Sequence, residues 1–131
     1  LGTGVGNEHR ILVTRRDASK RRLANQSAVV DMLSPYGFEP VTLTELSLEA
    51  QVSLFANTDT VVAPHGAGLV SMIYGYDLNV LELFGDYVNA CYYCIAGGLD
   101  FTHRYELCEN EALDLVVDTT DLDDGVRELL K

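Results

Sequence analysis

The residues with the clearest chemical potential lie in one stretch, Thr58-Asp-Thr-Val-Val-Ala-Pro-His-Gly-Ala-Gly-Leu69. Thr60 to Ala63 is a short β-favouring run, Pro64 stops it, and Leu69-Val-Ser-Met-Ile73 follows as the buried first turns of a helix. A strand that ends in a glycine-containing turn at a helix N-terminus leaves main-chain N–H groups without partners. Those amides and the helix dipole both favour negative charge, so the arrangement suits an anion. Gly66, Ala67 and Gly68 would let a ligand approach the main chain, and His65 supplies a switchable donor at the mouth. A packing turn with His65 as a satisfied core or capping residue accounts for the same letters about as well.

Charge points to the same kind of ligand. The chain carries a formal net charge of -11, with 20 Asp and Glu against 9 Lys and Arg. Such a balance argues against general nucleic-acid binding, which needs a positive field. Yet Arg10, Arg15, Arg16, Lys20, Arg21 and Arg22 gather six of the nine cations into one N-terminal segment. An acidic protein that concentrates its cations in this way is expected to hold an anion there. The scarcity of Lys beside so many acids points to a salt-loving host, and a simply acidic surface explains it almost as well.

With 131 residues and 47% hydrophobic content the chain suits one globular domain with a sizeable core. No apolar run approaches the roughly 18 to 20 residues needed to span a bilayer, and no signal peptide is visible. Three cysteines, Cys91, Cys94 and Cys108, give no disulfide framework and favour a reducing, cytoplasmic setting. The chain opens on Leu1 rather than Met, which raises the expectation that it belongs to a longer protein.

The elements that must position these groups alternate along the chain. Leu1 to His9 is expected as a linker, its Gly2-Thr-Gly4-Val-Gly6 standing before rather than after the first strand. Arg10–Thr14 is a continuous apolar run, as in a strand buried on both faces. Asp17–Leu23 is a charged loop, Asn25 the expected N-cap of a helix, and Pro35 with Gly37 its end. Phe38–Leu43 follows as a second strand, and Ser47 starts a second helix. The third strand is Thr60–Ala63, and the fourth is Asn79–Leu83. Ala90–Ala96 is expected as a short helix closed by Gly97-Gly98, Phe101–Leu107 as an edge strand, and Leu115–Val117 as one more strand. Asp121 is the expected cap of a final helix within the acidic extension 106–131. Strands and helices alternating at this spacing imply βαβ units and a Rossmann-like, three-layer α/β domain with a mostly parallel sheet. Ligands bind such sheets beyond the carboxyl ends of the strands. Arg15, Arg16, His65–Gly68 and the end of the Leu81–Leu83 strand all fall at that edge.

Thr14-Arg-Arg-Asp-Ala-Ser-Lys-Arg-Arg-Leu-Ala-Asn25, Pro64-His-Gly-Ala-Gly-Leu69 and Val80-Leu-Glu-Leu83, in this order and at these distances, resemble the C-terminal domain of the family 61 glycosyltransferases. That group is also described as capsular-polysaccharide-type. The likeness covers about residues 10 to 105. Thr14 stands where the family usually has Ser, and Gln26 where it often has an acidic residue. The resemblance implies one half of a GT-B enzyme: a domain that binds a nucleoside-diphosphate sugar and inverts the anomeric carbon during transfer to a glycan or polysaccharide acceptor. It also implies an N-terminal domain of the same chain facing it across a cleft, and no bound metal or other cofactor. Membrane association, at the inner face, would lie outside this stretch.

Chemistry gives each residue a task under that reading. A departing diphosphate needs charge stabilisation, and Arg15 or Arg16 offers the bidentate fork that Lys lacks. Surface ion pairing with Asp17 is the plainer explanation for that pair. Gly66, Ala67 and Gly68 would hold the diphosphate on backbone amides, with His65 on a phosphate or the sugar, and His65 is also the candidate catalytic group. Asn25 is either a cap alone or an amide that reaches the donor. Glu82, an acid in an apolar strand, either faces solvent or accepts two ribose hydroxyls. Tyr87, Asn89 and Tyr92 follow it, and one aromatic there would stack on the base. Cys91-Tyr-Tyr-Cys94 with His103 and Cys108 makes a formally legal zinc set, against which stands the packing role of helical thiols among aromatics. A dinucleotide oxidoreductase lacks its glycine fingerprint here. A non-catalytic scaffold or regulatory domain of the same fold is the rival from another class.

Overall fold

The computed structural model describes residues 9–14, 22–85 and 91–131, with the main chain alone at 67–70 and 91. Arg15, Arg16, Lys20, Arg21, residues 1–8 of the expected 1–9 linker, Tyr87 and Asn89 lie outside the described residues. The strands are β1 (Arg10–Val13), β2 (Phe38–Val41), β3 (Thr60–Pro64), β4 (Asn79–Phe84) and β5 (Thr102–Leu107), with β6 (Glu109–Glu111) and β7 (Asp114–Val116) beyond them. The helices are α1 (Gln26–Leu33), α2 (Leu48–Ala56), α3 (Cys91–Gly98) and α4 (Thr119–Leu129).

The first five strands form one sheet in the order β2-β1-β3-β4-β5, and every neighbouring pair is parallel. The inner strands are continuous apolar runs because both of their faces are covered. Ile11, Val13, Val61, Ala63 and Val80 point into one core with Phe55, Met72, Tyr92 and Ala96. Leu12, Val62, Leu81 and Leu83 alternate to the other side and meet Val29, Leu33, Leu122, Val126 and Leu129. The result is the three-layer, Rossmann-like α/β architecture expected of the alternating pattern. Pro40 is accommodated because β2 is an edge strand.

Local chemistry sets most boundaries. Ser47 caps α2, its hydroxyl accepting from the Ala50 amide at 3.1 Å. Gly37 adopts φ +84° after the Ser34–Tyr36 turn, a left-handed conformation open to glycine. Three expectations change. The segment after Gly66 is a 3-10 helix, Ala67–Tyr74, rather than an α-helix. Gly97 and Gly98 form the last turn of α3, and the chain reverses at Leu99-Asp100. Asp118, not Asp121, caps the final helix, accepting from Thr120 and Asp121 amides at 2.9 and 3.1 Å.

The acidic C-terminal stretch is built into the core. The strand expected near Leu115 belongs to a separate antiparallel hairpin, β6–β7, clamped to residues 22–25 through an Ala24 amide to Leu115 carbonyl bond of 2.7 Å and a Leu115 amide to Arg22 carbonyl bond of 2.8 Å. From there α4 returns against β4, β5 and α1, burying Leu122, Val126 and Leu129. Its glycine is a contact requirement. A Cβ at Gly125 would lie 3.1 Å from Leu81 Cδ1 and 2.6 Å from Glu106 Oε1.

That close approach loads Glu106 with cost. Burial, and then the carboxylates of Asp121 and Asp124 on α4 and of its cap Asp118, raise its pKa above 4.5, while Arg104 pulls the other way. A raised folded pKa means that stability present below the unfolded value is lost as pH rises through the folded one. Glu106→Gln should therefore stabilise the chain at pH 7 by about 0.5 kcal/mol, a modest figure because the group is partly solvated. In thermal unfolding the gain should disappear near pH 4, and an equal gain at both pH values would point to packing instead.

Candidate active site

The site grows out of strand register. In the β3–β4 ladder Ala63 lies opposite Glu82, and in the β4–β5 ladder Tyr105 does. Residues two apart on a strand share a face, so His65, beyond Ala63, and His103, before Tyr105, flank Glu82 diagonally. Both imidazoles reach it. His65 Nδ1 lies 2.5 Å from Glu82 Oε2, and His103 Nε2 lies 2.9 Å from Glu82 Oε1. Ala63, the small residue directly opposite, leaves room for the carboxylate.

Burial makes the arrangement strict. Glu82 has no exposed surface, and the His65 and His103 side chains retain 9% and 4%. A carboxylate moved out of water is tolerated only with compensating donors. A carboxylate only accepts, so both facing nitrogens carry hydrogen. Aromatic contacts fix the ring of His65: Phe84 stacks on it at 5.4 Å between centroids, and Tyr92 tilts against it at 5.3 Å. The Tyr92 hydroxyl donates to the Gly66 carbonyl at 2.7 Å, tying α3 to the turn that follows β3.

Position in the sheet matters as much as contacts. The chain runs from β1 outward to β2 and then crosses back to β3 on the other side of β1. The carboxyl ends of β1 and β3 therefore flank the point where strand order reverses, where open α/β sheets take ligands. His65-Gly66 stands at the end of β3. Thr14, whose hydroxyl shares a 2.7 Å hydrogen bond with Thr42, is the last described residue after β1. Arg15 and Arg16 follow it directly in sequence.

The other expected site residues are placed differently. Asn25 occupies the N-cap position of α1 without a side-chain cap bond. Its amide instead donates to the Val117 carbonyl at 2.8 Å and accepts from the Val117 amide at 3.0 Å, which gives it a role in the fold. Glu82 is not solvent-facing: it is buried, with one oxygen on His65 and the other on His103. Tyr92 is buried against His65, where the chain was expected to offer a base-stacking surface. Gly66 is buried in extended conformation, and Ala67 and Gly68 open the 3-10 segment.

No group of three His, Cys, Asp or Glu able to hold a metal ion occurs among the described residues. His103 is turned to Glu82. Cys94 is exposed, and burial beside Glu106 pushes the Cys108 thiol up to about 11, away from the thiolate that zinc requires. Asp121 and Asp123 sit on α4, where Asp123 accepts from Tyr36 at 2.6 Å and pairs with Arg127.

An all-parallel, five-stranded sheet flanked by helices defines a Rossmann-like α/β domain. A family model, Glycosyltransferase 61, matches residues 4–77, more than half of the chain, so the chain belongs to glycosyltransferase family 61. No curated protein matches it. The matched stretch holds Arg15, Arg16 and His65–Gly68, and it ends before Glu82 and His103.

Asn25→Ala should lower stability by roughly 1–3 kcal/mol, because two buried main-chain groups of Val117 lose their partners. Urea unfolding measures the loss, and the folded variant should keep whatever nucleotide affinity the parent has. Weaker binding at full stability would return Asn25 to the donor site.

Proposed function

We propose that this chain is the donor-binding half of an inverting, GT-B-type glycosyltransferase that moves a sugar from a nucleoside diphosphate to a glycan acceptor. The family match supports transfer chemistry in general. The observation that carries the finer reading is the placement of His65-Gly66 at the end of β3, across the switch point from the end of β1, where Arg15 and Arg16 continue the chain.

The physical steps follow from charge. As the glycosidic bond to the diphosphate lengthens, negative charge grows on the phosphate oxygens. Preorganised cations and amides lower that barrier most, because they need no reorganisation at the moment of reaction. Arg15 and Arg16 supply guanidinium forks, and the amides of 66–68 supply main-chain donors. These groups neutralise a diphosphate without requiring a divalent cation. The acceptor and its general base come at least partly from a facing domain, so the 131-residue chain by itself binds donor without turning it over. An odd cysteine count fits a reducing, cytoplasmic setting.

Calorimetric titration with UDP, GDP and NAD, in high salt with chelator, tests the reading. One diphosphate should bind in the micromolar range. Arg15→Ala, Arg16→Ala or His65→Ala should each weaken it by about 1.5–3 kcal/mol, roughly ten- to a hundredfold, with folding intact. Failure of both diphosphates to bind, or unchanged affinity in all three variants, overturns the assignment. Binding of NAD alone would make the domain a dinucleotide site.

A further inference from the structure

The two edges of the sheet are protected unequally. An edge strand presents main-chain N–H and C=O groups along its outer side, and proteins blunt that side with proline, lysine or a bulge. β2 carries such a block. The Thr14 amide bonds to the Val41 carbonyl, so Glu39 and Val41 turn their main-chain groups toward β1. Those of Phe38 and Pro40 alternate outward, and Pro40 has no N–H to offer. β5, at the other edge, contains neither proline nor lysine. Its Thr102 amide bonds to the Leu78 carbonyl and the Cys108 amide to that of Phe84, at 3.1 and 2.6 Å. The even-numbered residues therefore face β4, and His103, Tyr105 and Leu107 turn their N–H and C=O groups outward. Among the described residues only β4 lies beside β5, and Tyr105 and Leu107 remain 59% and 64% exposed.

The charge pattern of β5 selects what such an edge accepts. Two identical strands that pair antiparallel are related by a two-fold axis, on which one residue meets its own copy. An axis at Arg104 would oppose two guanidinium groups, and one at Glu106 two carboxylates. An axis at His103 or Leu107 would leave most of the strand without a counterpart. An axis at Tyr105 sets Arg104 opposite Glu106 of the second copy, and Glu106 opposite its Arg104. It also sets the outward main-chain groups of His103 and Tyr105 against those of Leu107 and Tyr105. Arg104 and Glu106 then form non-hydrogen-bonded pairs, the closer of the two antiparallel spacings, where opposite charges attract and like charges oppose pairing. Within one chain Glu106 faces Asp121, Asp118 and Asp124 with Arg104 as the opposing charge. The second copy brings another cation to it.

We propose that β5 is a self-pairing edge: two copies of this chain join their β5 strands antiparallel about Tyr105, and the sheet of one continues into the other. The pairing runs along the side of the sheet rather than across the carboxyl ends of β1 and β3. It therefore stands apart from the donor-site reading.

Sedimentation of the 131-residue chain over a wide range of concentration reads the association directly. High salt is used because two chains of net charge -11 repel one another. A monomer–dimer equilibrium in the micromolar range is expected. Tyr105→Pro removes the central outward N–H, leaves the ladder to β4 intact, and should abolish the dimer. Arg104→Glu turns two attractive pairs into two repulsive ones and should raise the dissociation constant by roughly tenfold or more. Arg104→Glu combined with Glu106→Arg restores opposite charges in the same register and should recover most of the affinity. Thermal unfolding checks that each variant is folded, and the charge exchange decides the matter if the proline unfolds the chain. A chain that stays monomeric overturns the self-pairing and leaves the edge to another segment or protein. A dimer indifferent to folded Tyr105→Pro, or one weakened by Arg104→Glu that the charge exchange fails to restore, overturns it as well.

Discussion

A carboxylate with no exposed surface sits in the fourth strand of a parallel sheet, and two imidazole N–H groups make its burial tolerable. Loss of either partner would leave charge in a low-dielectric layer, where an unpaired ion costs several kcal/mol. The requirement reaches outward. Glu82 needs Ala63 beside it for space, a histidine just beyond the end of β3, and a histidine on β5 two residues before its own partner in register. Three strands must hold register to the residue. A slip by one would send the histidines to the opposite face.

The same constraint explains why polarity gathers at one edge. Inner strands covered on both faces tolerate charge along their length only where donors meet it, as at Glu82, so most polar groups collect where the strands end. The strand order then selects among those ends. Because β1 pairs with both β2 and β3, the crossovers on its two sides leave in opposite directions and open a crevice between them. A histidine-glycine turn stands at the β3 side of that crevice, and the arginine pair follows the last residue of its β1 side in sequence.

The C-terminal third closes the structure behind this edge. The β6–β7 hairpin is stitched to residues 22–25, and α4 lies so close to the sheet that position 125 has no space for a side chain. Negative charge on α4 is largely absorbed locally: Asp118 caps the helix and Asp123 pairs with Arg127 and Tyr36. Glu106 is the exception, held against that acidic face by packing.

Much of this was legible in the amino-acid sequence by itself. Continuous apolar runs located β1, β3 and β4, Ser47 and Gly37 marked ends, and strand–helix alternation implied a parallel layered sheet, because each of these is written by near neighbours. The motif around His65, read with the arginine pair, also carried the family. The 3-10 form of Ala67–Tyr74 and the Asp118 cap were missed because competing local geometries differ by little free energy, and packing decides between them. Asn25 carried the letters of a cap, but its true partner is Val117, distant in sequence. Above all, the sequence could not reveal that Glu82 is shared by His65 and His103. The three residues stand on separate stretches, and only strand order and register bring them within hydrogen-bond reach. The letters determined which segments form and which edge is polar. The tertiary structure decided what the buried acid does, because a charge out of water takes its role from the donors that pairing places beside it.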